Sequence, residues 1–227
     1  GFTFVPSRHK LEVSRALHTV HYAFDVRSLM SYIYPDTEPA ARFLYRNRQN
    51  FDLKAQVSGM ENVYELCISP HAIPMLLPPF DYENRLIKFL HPPLWLRDKA
   101  YFKTNPDFFS MDEHGKRVPD RHLCYTNPEL QKELTNNIIR YYNEQENKPE
   151  YAGRQLVMEI SSYDKAYNLC HCPNCSKLQK EYHSPGAHMI VYLSELARQH
   201  PDILFMTSAY LRNLTQNPPS LEQPLQS

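Results

Sequence analysis

Strand and helix patterns alternate along this chain, and that order limits the fold more than any other feature of the sequence. Five short runs rich in apolar residues predict strands over 19–26, 62–69, 121–126, 155–161 and 202–210. Helical patterns lie between them over 37–51, 126–145 and 186–202. Such alternation is typical of a parallel sheet with helices packed outside it. We therefore predict an α/β fold in a single domain over residues 1–227, either a TIM-barrel-like (β/α) barrel or an open doubly wound sheet.

The segment 126–145 predicts the best-defined helix. Thr126 or Asn127 supplies a side chain suited to the N-cap, and Pro128 suits the first helical position. An apolar stripe follows at intervals of four residues, formed by Leu130, Leu134 and Ile138. This helix is expected to pack that stripe against the sheet.

Charge and hydropathy argue against two classes of partner. The 25 Lys and Arg residues are balanced by 25 Asp and Glu residues, so there is no basic excess to bind a phosphate backbone. No run of about 18 apolar residues occurs, as a membrane-spanning helix would require. We therefore expect neither nucleic acid nor membrane as a partner. No glycine-rich loop follows a predicted strand, which argues against a nucleotide-binding α/β fold.

Two segments depart from the alternating pattern. Residues 70–120 are too long for a simple connection, are rich in proline and aromatic residues, and contain the only tryptophan, Trp95. In an α/β barrel, an excursion of this kind after a strand overhangs the catalytic face. Residues 214–227 are polar and rich in proline, which predicts a frayed tail.

Four of the five cysteines predict a common site. Cys170, Cys172 and Cys175 form a C-x-C-x2-C motif, and Cys124 ends the strand predicted before it. Because consecutive parallel strands are often neighbours, both groups are expected to meet at one end of the sheet. Four thiolates can close a structural zinc site, although the C-x-C spacing is tighter than usual. Disulfides are the alternative, and in either case the cysteines hold a long loop without doing chemistry.

Successive blocks of the sequence resemble a known bacterial family. They read "NPDFFSMDEHGKR", "LCYTNPEL", "EISSYDKAYNLCHCPNCSKL", "PDILFMTSAY" and "PP". In order and approximate spacing, from about residue 107 to 219, they are similar to the family known as domain of unknown function 4838. The opening "GFTFVPS" and the stretch "AFDVR" resemble it more loosely, and the C-x-C-x2-C block after an Asp is the most specific part.

The resemblance implies a fold and a function. The family is regarded as glycoside-hydrolase-like, with a TIM-barrel relation to the alpha-glucuronidases. It therefore implies a carbohydrate ligand and a secreted or periplasmic location. The sequence departs from the family pattern at Tyr163, where an Asn is usual. Because a closed barrel needs eight strands and five are predicted here, we expect a partial barrel, or a further domain or chain that completes it.

Glycoside hydrolysis requires two carboxyl groups across the scissile bond. Asp164 is the first candidate, because it follows the strand predicted over 155–161 and matches the Asp of the family block. An Asp in this position also commonly caps the next turn. Glu159 lies within the same strand with the opposite parity, so we interpret it as structural and paired with an Arg. No motif identifies the second carboxylate.

Four further residues are candidates for substrate binding. Arg27 ends the first predicted strand and can bind a sugar carboxylate through two hydrogen bonds, and His71 follows the second strand. Trp95 and Tyr210 can stack on sugar rings, although such aromatic residues more often lie in a core. We therefore predict a glycoside-hydrolase-like protein that acts on a polysaccharide or oligosaccharide. The alternative is a non-catalytic carbohydrate-binding or assembly module with a cysteine-stabilised loop.

Overall fold

The computed structural model describes residues 64–68, 73–119, 122–161 and 169–207. The chain divides into two units, Gly1–Glu65 and Leu66–Ser227, and nearly all described residues belong to the second. Among the described helices, none combines the length and the apolar character needed to cross a membrane. The strand predicted over 19–26, the helix over 37–51 and the tail over 214–227 lie outside the described residues.

Nine helices and strands are described besides three short 3-10 turns. The strands are β1 (Tyr64–Leu66), β2 (Gln155–Glu159) and β3 (Leu204–Met206). The helices are α1 (Ile73–Leu76), α2 (Arg85–Leu90), α3 (Tyr101–Thr104), α4 (Pro128–Glu146), α5 (Pro173–Glu181) and α6 (Ala187–Gln199). The segment 70–120 therefore holds three short helices in its described part rather than a simple loop.

The described strands form a sheet in the order β1-β2-β3. β2 and β3 are parallel, with Val157 opposite Leu204 and Glu159 opposite Met206. The connection between them runs through α5 and α6, as parallel neighbours require. Both strands fall within runs that the sequence predicts as strands, and their parallel pairing agrees with the predicted arrangement.

Helix α4 begins where its N-cap predicts. The Asn127 side-chain oxygen accepts hydrogen bonds from the backbone N–H groups of Glu129 and Leu130, at 3.0 and 3.1 Å. Its amide nitrogen donates to Asp107 Oδ2 at 2.7 Å, which fixes the cap against the preceding loop. The predicted stripe is fully buried and consists of Leu130, Leu134 and Ile138. Asn127 rather than Thr126 is therefore the cap.

Replacing Asn127 by alanine is expected to lower the free energy of unfolding by about 1 kcal/mol, because two N–H groups of the first turn lose their acceptor. Urea denaturation followed by circular dichroism measures the change. Asn136→Ala, on the exposed middle of the same helix, is the control and should leave stability unchanged or slightly raised. Equal effects of the two substitutions would contradict the capping role.

Alternate residues of β2 define the two faces of the strand. Leu156, Met158 and Ile160 belong to the same buried cluster as the apolar stripe of α4 and the inner face of α6. The two helices also contact each other, since Thr135 Oγ1 lies 3.1 Å from Tyr192 Oη. Because strand side chains alternate, Val157 and Glu159 lie on the opposite face, away from α4 and α6.

The prediction of a strand over 121–126 is wrong, because the residues described there do not form one. Leu123 instead forms an isolated antiparallel bridge with Phe109, flanked by hydrogen bonds from Ser110 N to His122 O and from Cys124 N to Phe108 O, both 2.8 Å. The chain folds back because Asp112 Oδ1 accepts hydrogen bonds from two backbone N–H groups of the intervening turn. Residues 108–111 thus pair with Arg117 and with 122–124 in an antiparallel ribbon. This ribbon provides the backbone hydrogen bonds that a parallel sheet would otherwise provide.

Candidate metal centre

Two segments bring the cysteines together. Cys124 ends the antiparallel ribbon, three residues before the cap of α4. Cys170 precedes α5, Cys172 is its N-cap, and Cys175 lies in its first turn. Pro173 at the first helical position starts the helix there, and the Cys175 N–H donates to Cys172 Sγ at 3.5 Å. The C-x2-C spacing thus places two sulfur atoms at one helix start.

The four sulfur atoms lie within 4.8 Å of one another. Cys124 Sγ is 3.5 Å from Cys172 Sγ and 4.0 Å from Cys175 Sγ. All four side chains are buried, with exposures between 0% and 5%, and they form a cluster separate from the main core. The predicted meeting of Cys124 with the C-x-C-x2-C motif is therefore confirmed.

These distances suit a single metal ion and not a disulfide. All five cysteines lie in the described part of the chain, and each is a free thiol. A disulfide needs an S–S distance of about 2.05 Å. Around one ion with metal–sulfur bonds of about 2.3 Å, the edges of a sulfur tetrahedron measure about 3.8 Å. The 3.5 and 4.0 Å separations bracket that value, so the four cysteines can hold a metal ion.

Neighbouring groups form hydrogen bonds with the sulfur atoms. The Met111 backbone N–H approaches Cys170 Sγ at 3.4 Å. Arg117 Nη1 lies 3.9 Å from the same sulfur and is held in place by a 2.7 Å hydrogen bond to Phe109 O. Thr126 Oγ1 is 3.1 Å from Cys175 Sγ. Because four thiolates around a divalent ion carry a net charge of about −2, such donors stabilise the charged site.

The thiols affect one another's protonation. Hydrogen bonds from Cys170 and Cys175 hold the pKa of Cys124 well below its usual range. The hydrogen bond to Cys124 raises the pKa of Cys170 to about 11 and that of Cys175 further still. Burial lowers the pKa of the Arg117 guanidinium, but the hydrogen bond and charge of Cys124 outweigh burial and raise it. The metal-free cluster therefore keeps protons on Cys170 and Cys175 at neutral pH.

Metal affinity is expected to fall as pH falls. Because a bound metal requires thiolates, binding must release at least the two protons on Cys170 and Cys175. Two released protons correspond to a ~100-fold change in affinity per pH unit. Competition with a chromophoric chelator between about pH 6 and 8 measures the slope. An affinity that does not change with pH would contradict thiolate coordination.

The chain matches a protein family over nearly its whole length. The family described as Domain of unknown function (DUF4838) matches residues 1–226. The chain belongs to this family. No curated protein and no solved structure matches it. The family predicted from the sequence blocks is therefore confirmed, and within this DUF4838 chain the blocks around Cys124 and Cys170 supply the four-cysteine cluster.

The other predicted site residues of this DUF4838 chain fall into two groups. Asp164, Arg27, His71 and Tyr210 lie outside the described residues. Trp95 is described and partly buried: the Arg140 guanidinium lies over its ring at 4.1 Å, and its Nε1 donates to Glu144 Oε2 at 3.0 Å. One face of the indole is thus occupied by protein, and the stacking of a sugar on Trp95 stays a prediction.

Two surface grooves formed by described residues both border α4. One includes Asn136, Asn143 and His200, and the other includes Asp98, Tyr101 and Glu133. Neither includes the cysteines. In the second groove Tyr101 donates a hydrogen bond to Glu133 and accepts one from Asn137 Nδ2, so its polar groups hold α3 against α4. Compared with these two grooves, the four-cysteine cluster is the better candidate site, because its side chains can bind a metal ion.

Sequence reasoning missed the groups that surround the sulfur atoms. Met111 and Arg117 precede Cys170 by 59 and 53 residues, so no local spacing connects them with it. The Met111 contact also uses the backbone, which carries no sequence signature. Thr126, two residues after Cys124, is the one member that a search near the ligands would have found.

Proposed function

We propose that Cys124, Cys170, Cys172 and Cys175 bind one zinc ion at a structural site. The observation that carries the proposal is the close grouping of four buried sulfur atoms, all within 4.8 Å of one another. A site with four protein ligands leaves no open position for a substrate or a reactive water, which is typical of structural zinc. Tetrahedral coordination by four sulfur atoms favours zinc among the divalent ions. Iron–sulfur clusters place their thiolates on different irons, so compact spacing supports a single ion.

The zinc ion joins two segments that are distant in sequence. Cys124 and Cys172 are 48 residues apart, and α4 and β2 lie between them. α4 starts beside Cys124 and leads back to the start of β2, whose far end leads to Cys170. In sequence, Cys170 follows the carboxyl end of β2 by 11 residues. The role of the ion is to fix the antiparallel ribbon to the start of α5.

Elemental analysis of the purified full chain tests the zinc site. We expect one zinc ion per chain, with thiol titration under native conditions showing that the four cysteines are protected until a chelator is added. Cys67→Ala is the matched control, because Cys67 is also buried but contacts Met158 Sδ at 3.0 Å instead of the centre. Substoichiometric metal in the wild type, or iron in place of zinc, would overturn the proposal.

A second proposal concerns the function of the whole domain. The resemblance of the family to glycoside hydrolases supports hydrolysis of a polysaccharide or oligosaccharide within a TIM-barrel-like fold. Asp164 lies five residues beyond the end of β2 and six before Cys170, in the stretch that joins the strand to the metal centre. Parallel-barrel enzymes carry their catalytic groups at this end of the strands. The zinc site would then limit the positions open to the segment that carries Asp164.

A panel of nitrophenyl glycosides and plant and bacterial polysaccharides tests this second proposal. We expect the wild type to release reducing ends from at least one member. Asp164→Asn should abolish turnover, with zinc content unchanged. Binding of a glycan without turnover by the wild type would instead support a non-catalytic carbohydrate-binding module. If the wild type shows no turnover and no binding with any member of the panel, both versions of the proposal are contradicted.

A further inference from the structure

We propose that the four-cysteine cluster is a redox-sensitive switch, in which hydrogen peroxide oxidises Cys124 and Cys172 to a disulfide and the zinc ion is released. This inference rests on the proposed zinc site and adds regulation to it. Three features support it: the contact between the two sulfur atoms, the position of the cluster beneath the surface, and the number of ligands that oxidation leaves.

The sulfur atoms of Cys124 and Cys172 lie in contact across two segments of the chain. They are 3.5 Å apart, whereas Cys124 Sγ is 4.0 Å from Cys175 Sγ. Because a disulfide has an S–S distance of about 2.05 Å, the two sulfur atoms need to approach each other by ~1.5 Å. The His171 N–H donates to Met111 O at 2.8 Å, which holds the residue before Cys172 beside the antiparallel ribbon. The two cysteines are therefore kept within reach of each other.

The other two cysteines have closer polar partners outside the cluster. Thr126 Oγ1 lies 3.1 Å from Cys175 Sγ, and a backbone N–H approaches Cys170 Sγ at 3.4 Å. Thr126 Oγ1 is farther, 3.8 Å, from both Cys124 Sγ and Cys172 Sγ. Forming a bond between Cys124 and Cys172 thus disturbs weaker contacts than a bond that uses Cys170 or Cys175.

The cluster lies just beneath the surface at the start of α5. Cys172 is 5% exposed, the largest value among the four cysteines, and its neighbours His171, Pro173 and Asn174 are exposed. Oxidation of a thiolate depends on the access of the oxidant. Hydrogen peroxide is little larger than water, so small movements of these exposed side chains admit it. This position favours Cys172 as the residue that is attacked first.

Oxidation removes half of the zinc ligands. Cys170 and Cys175 remain as thiolates, whereas a structural zinc site requires four protein ligands. The ion is therefore released when the disulfide forms. The disulfide then replaces the ion as the link between the antiparallel ribbon and the start of α5, so that these two segments stay joined.

The reaction balances with hydrogen peroxide as the oxidant. The Cys172 thiolate attacks one peroxide oxygen, the O–O bond breaks, and hydroxide leaves, which gives a sulfenic acid. The Cys124 thiolate attacks the sulfur of that sulfenic acid, the S–O bond breaks, the disulfide bond forms, and a second hydroxide leaves. Two protons from solvent convert the hydroxides to water. The two sulfur atoms lose two electrons to the peroxide, and Zn²⁺ leaves with its charge unchanged.

Peroxide titration of the zinc-bound full chain, with a weak chromophoric chelator present, tests the proposal. We expect about one zinc ion released per peroxide consumed, and a Cys124–Cys172 disulfide in peptides mapped by mass spectrometry. A thiol reductant with added zinc should restore the site. Zinc retained at a large excess of peroxide, or released with Cys124 and Cys172 unlinked, would overturn the inference. A wild type that binds no zinc would instead overturn the zinc proposal on which it rests.

Two variants show which thiol reacts. Burial raises the pKa of the Cys67 thiol to about 12, and this residue lies outside the cluster, so Cys67→Ala should release zinc at the wild-type rate. Cys172→His keeps a nitrogen ligand for zinc but has no thiol to attack peroxide, and we expect its release to be at least ~10-fold slower. Release from zinc-loaded Cys172→His at the wild-type rate would contradict the role of Cys172. If this variant binds no zinc, the disulfide map of the wild type decides.

Urea unfolding separates disulfide formation from simple loss of the metal. The peroxide-treated protein and the reduced protein in chelator both lack zinc, but only the first has the ribbon joined to α5 by a covalent bond. Because the disulfide links residues that are 48 apart in sequence, the oxidised protein should unfold at a higher urea concentration than the reduced, metal-free protein. Equal midpoints for the two forms would count against the disulfide that we propose.

Discussion

Cys175→Ser is expected to abolish zinc binding and to destabilise the second unit by about 4 kcal/mol when free zinc is ~1,000-fold above the dissociation constant. The side chain is fully buried in the first turn of α5, and its sulfur lies 4.0 Å from that of Cys124. Its loss removes one corner of the sulfur tetrahedron and releases the ribbon from the helix. Urea denaturation with excess zinc, and again with a chelator, measures the difference.

The chelator provides an internal comparison for this substitution. Wild type in chelator should unfold at nearly the urea concentration of Cys175→Ser, because both lack the metal. Cys67→Ala, which removes a buried thiol outside the centre, should keep its response to zinc while losing a smaller amount of packing energy. A wild type whose stability is the same with zinc and with chelator would show that the cysteines contribute no metal-dependent stability.

Leu134→Ala is expected to lower the free energy of unfolding by about 3 kcal/mol. Leu134 is fully buried on the inner face of α4, in the same cluster as Met158 of β2 and Leu193 of α6. Removing its branched side chain leaves a cavity between the sheet and two helices that rigid neighbours fill only in part. Thermal and urea unfolding of the zinc-bound protein give the value.

Leu86→Ala is the matched control for this cavity. It makes the same chemical change on a helix, but Leu86 is 42% exposed on α2. We expect it to cost less than ~1 kcal/mol, since little apolar surface returns to water. A similar loss from both substitutions would mean that α4 does not pack its stripe against β2 as described.

Local signals were sufficient where the structure depends on neighbours in sequence. The cap and apolar stripe of α4 were predicted because side chains at intervals of four residues and the Asn127 acceptor act within a few turns of one helix. The end of β2 was predicted to within two residues, because a short apolar run of this kind is typical of a buried strand. The barrel that we expect from these alternating elements stays a prediction.

Predictions from sequence patterns failed where the same residues are compatible with two different structures. The run 121–126 is apolar enough for a parallel strand, yet its described residues pair with 108–110 because the turn around Asp112 returns the chain first. The same ribbon delivers Arg117 and the Met111 N–H to Cys170. The grouping of the cysteines was predictable from their spacing in the sequence. Their hydrogen-bonding partners depend on the antiparallel ribbon, which leaves no periodic pattern in the sequence.

The proposed metal ion, bound by Cys124 and the cysteines at the start of α5, would close the chain into a ring that contains α4 and β2. During synthesis on the ribosome, this ring could be sealed once Cys175 has emerged, before the residues of β3 have left the ribosome. The ribbon, α4 and β2 would then be tied together while β2 still lacks its parallel neighbour. Zinc supply during translation, rather than after release, would govern how much of the protein escapes aggregation through that unpaired edge.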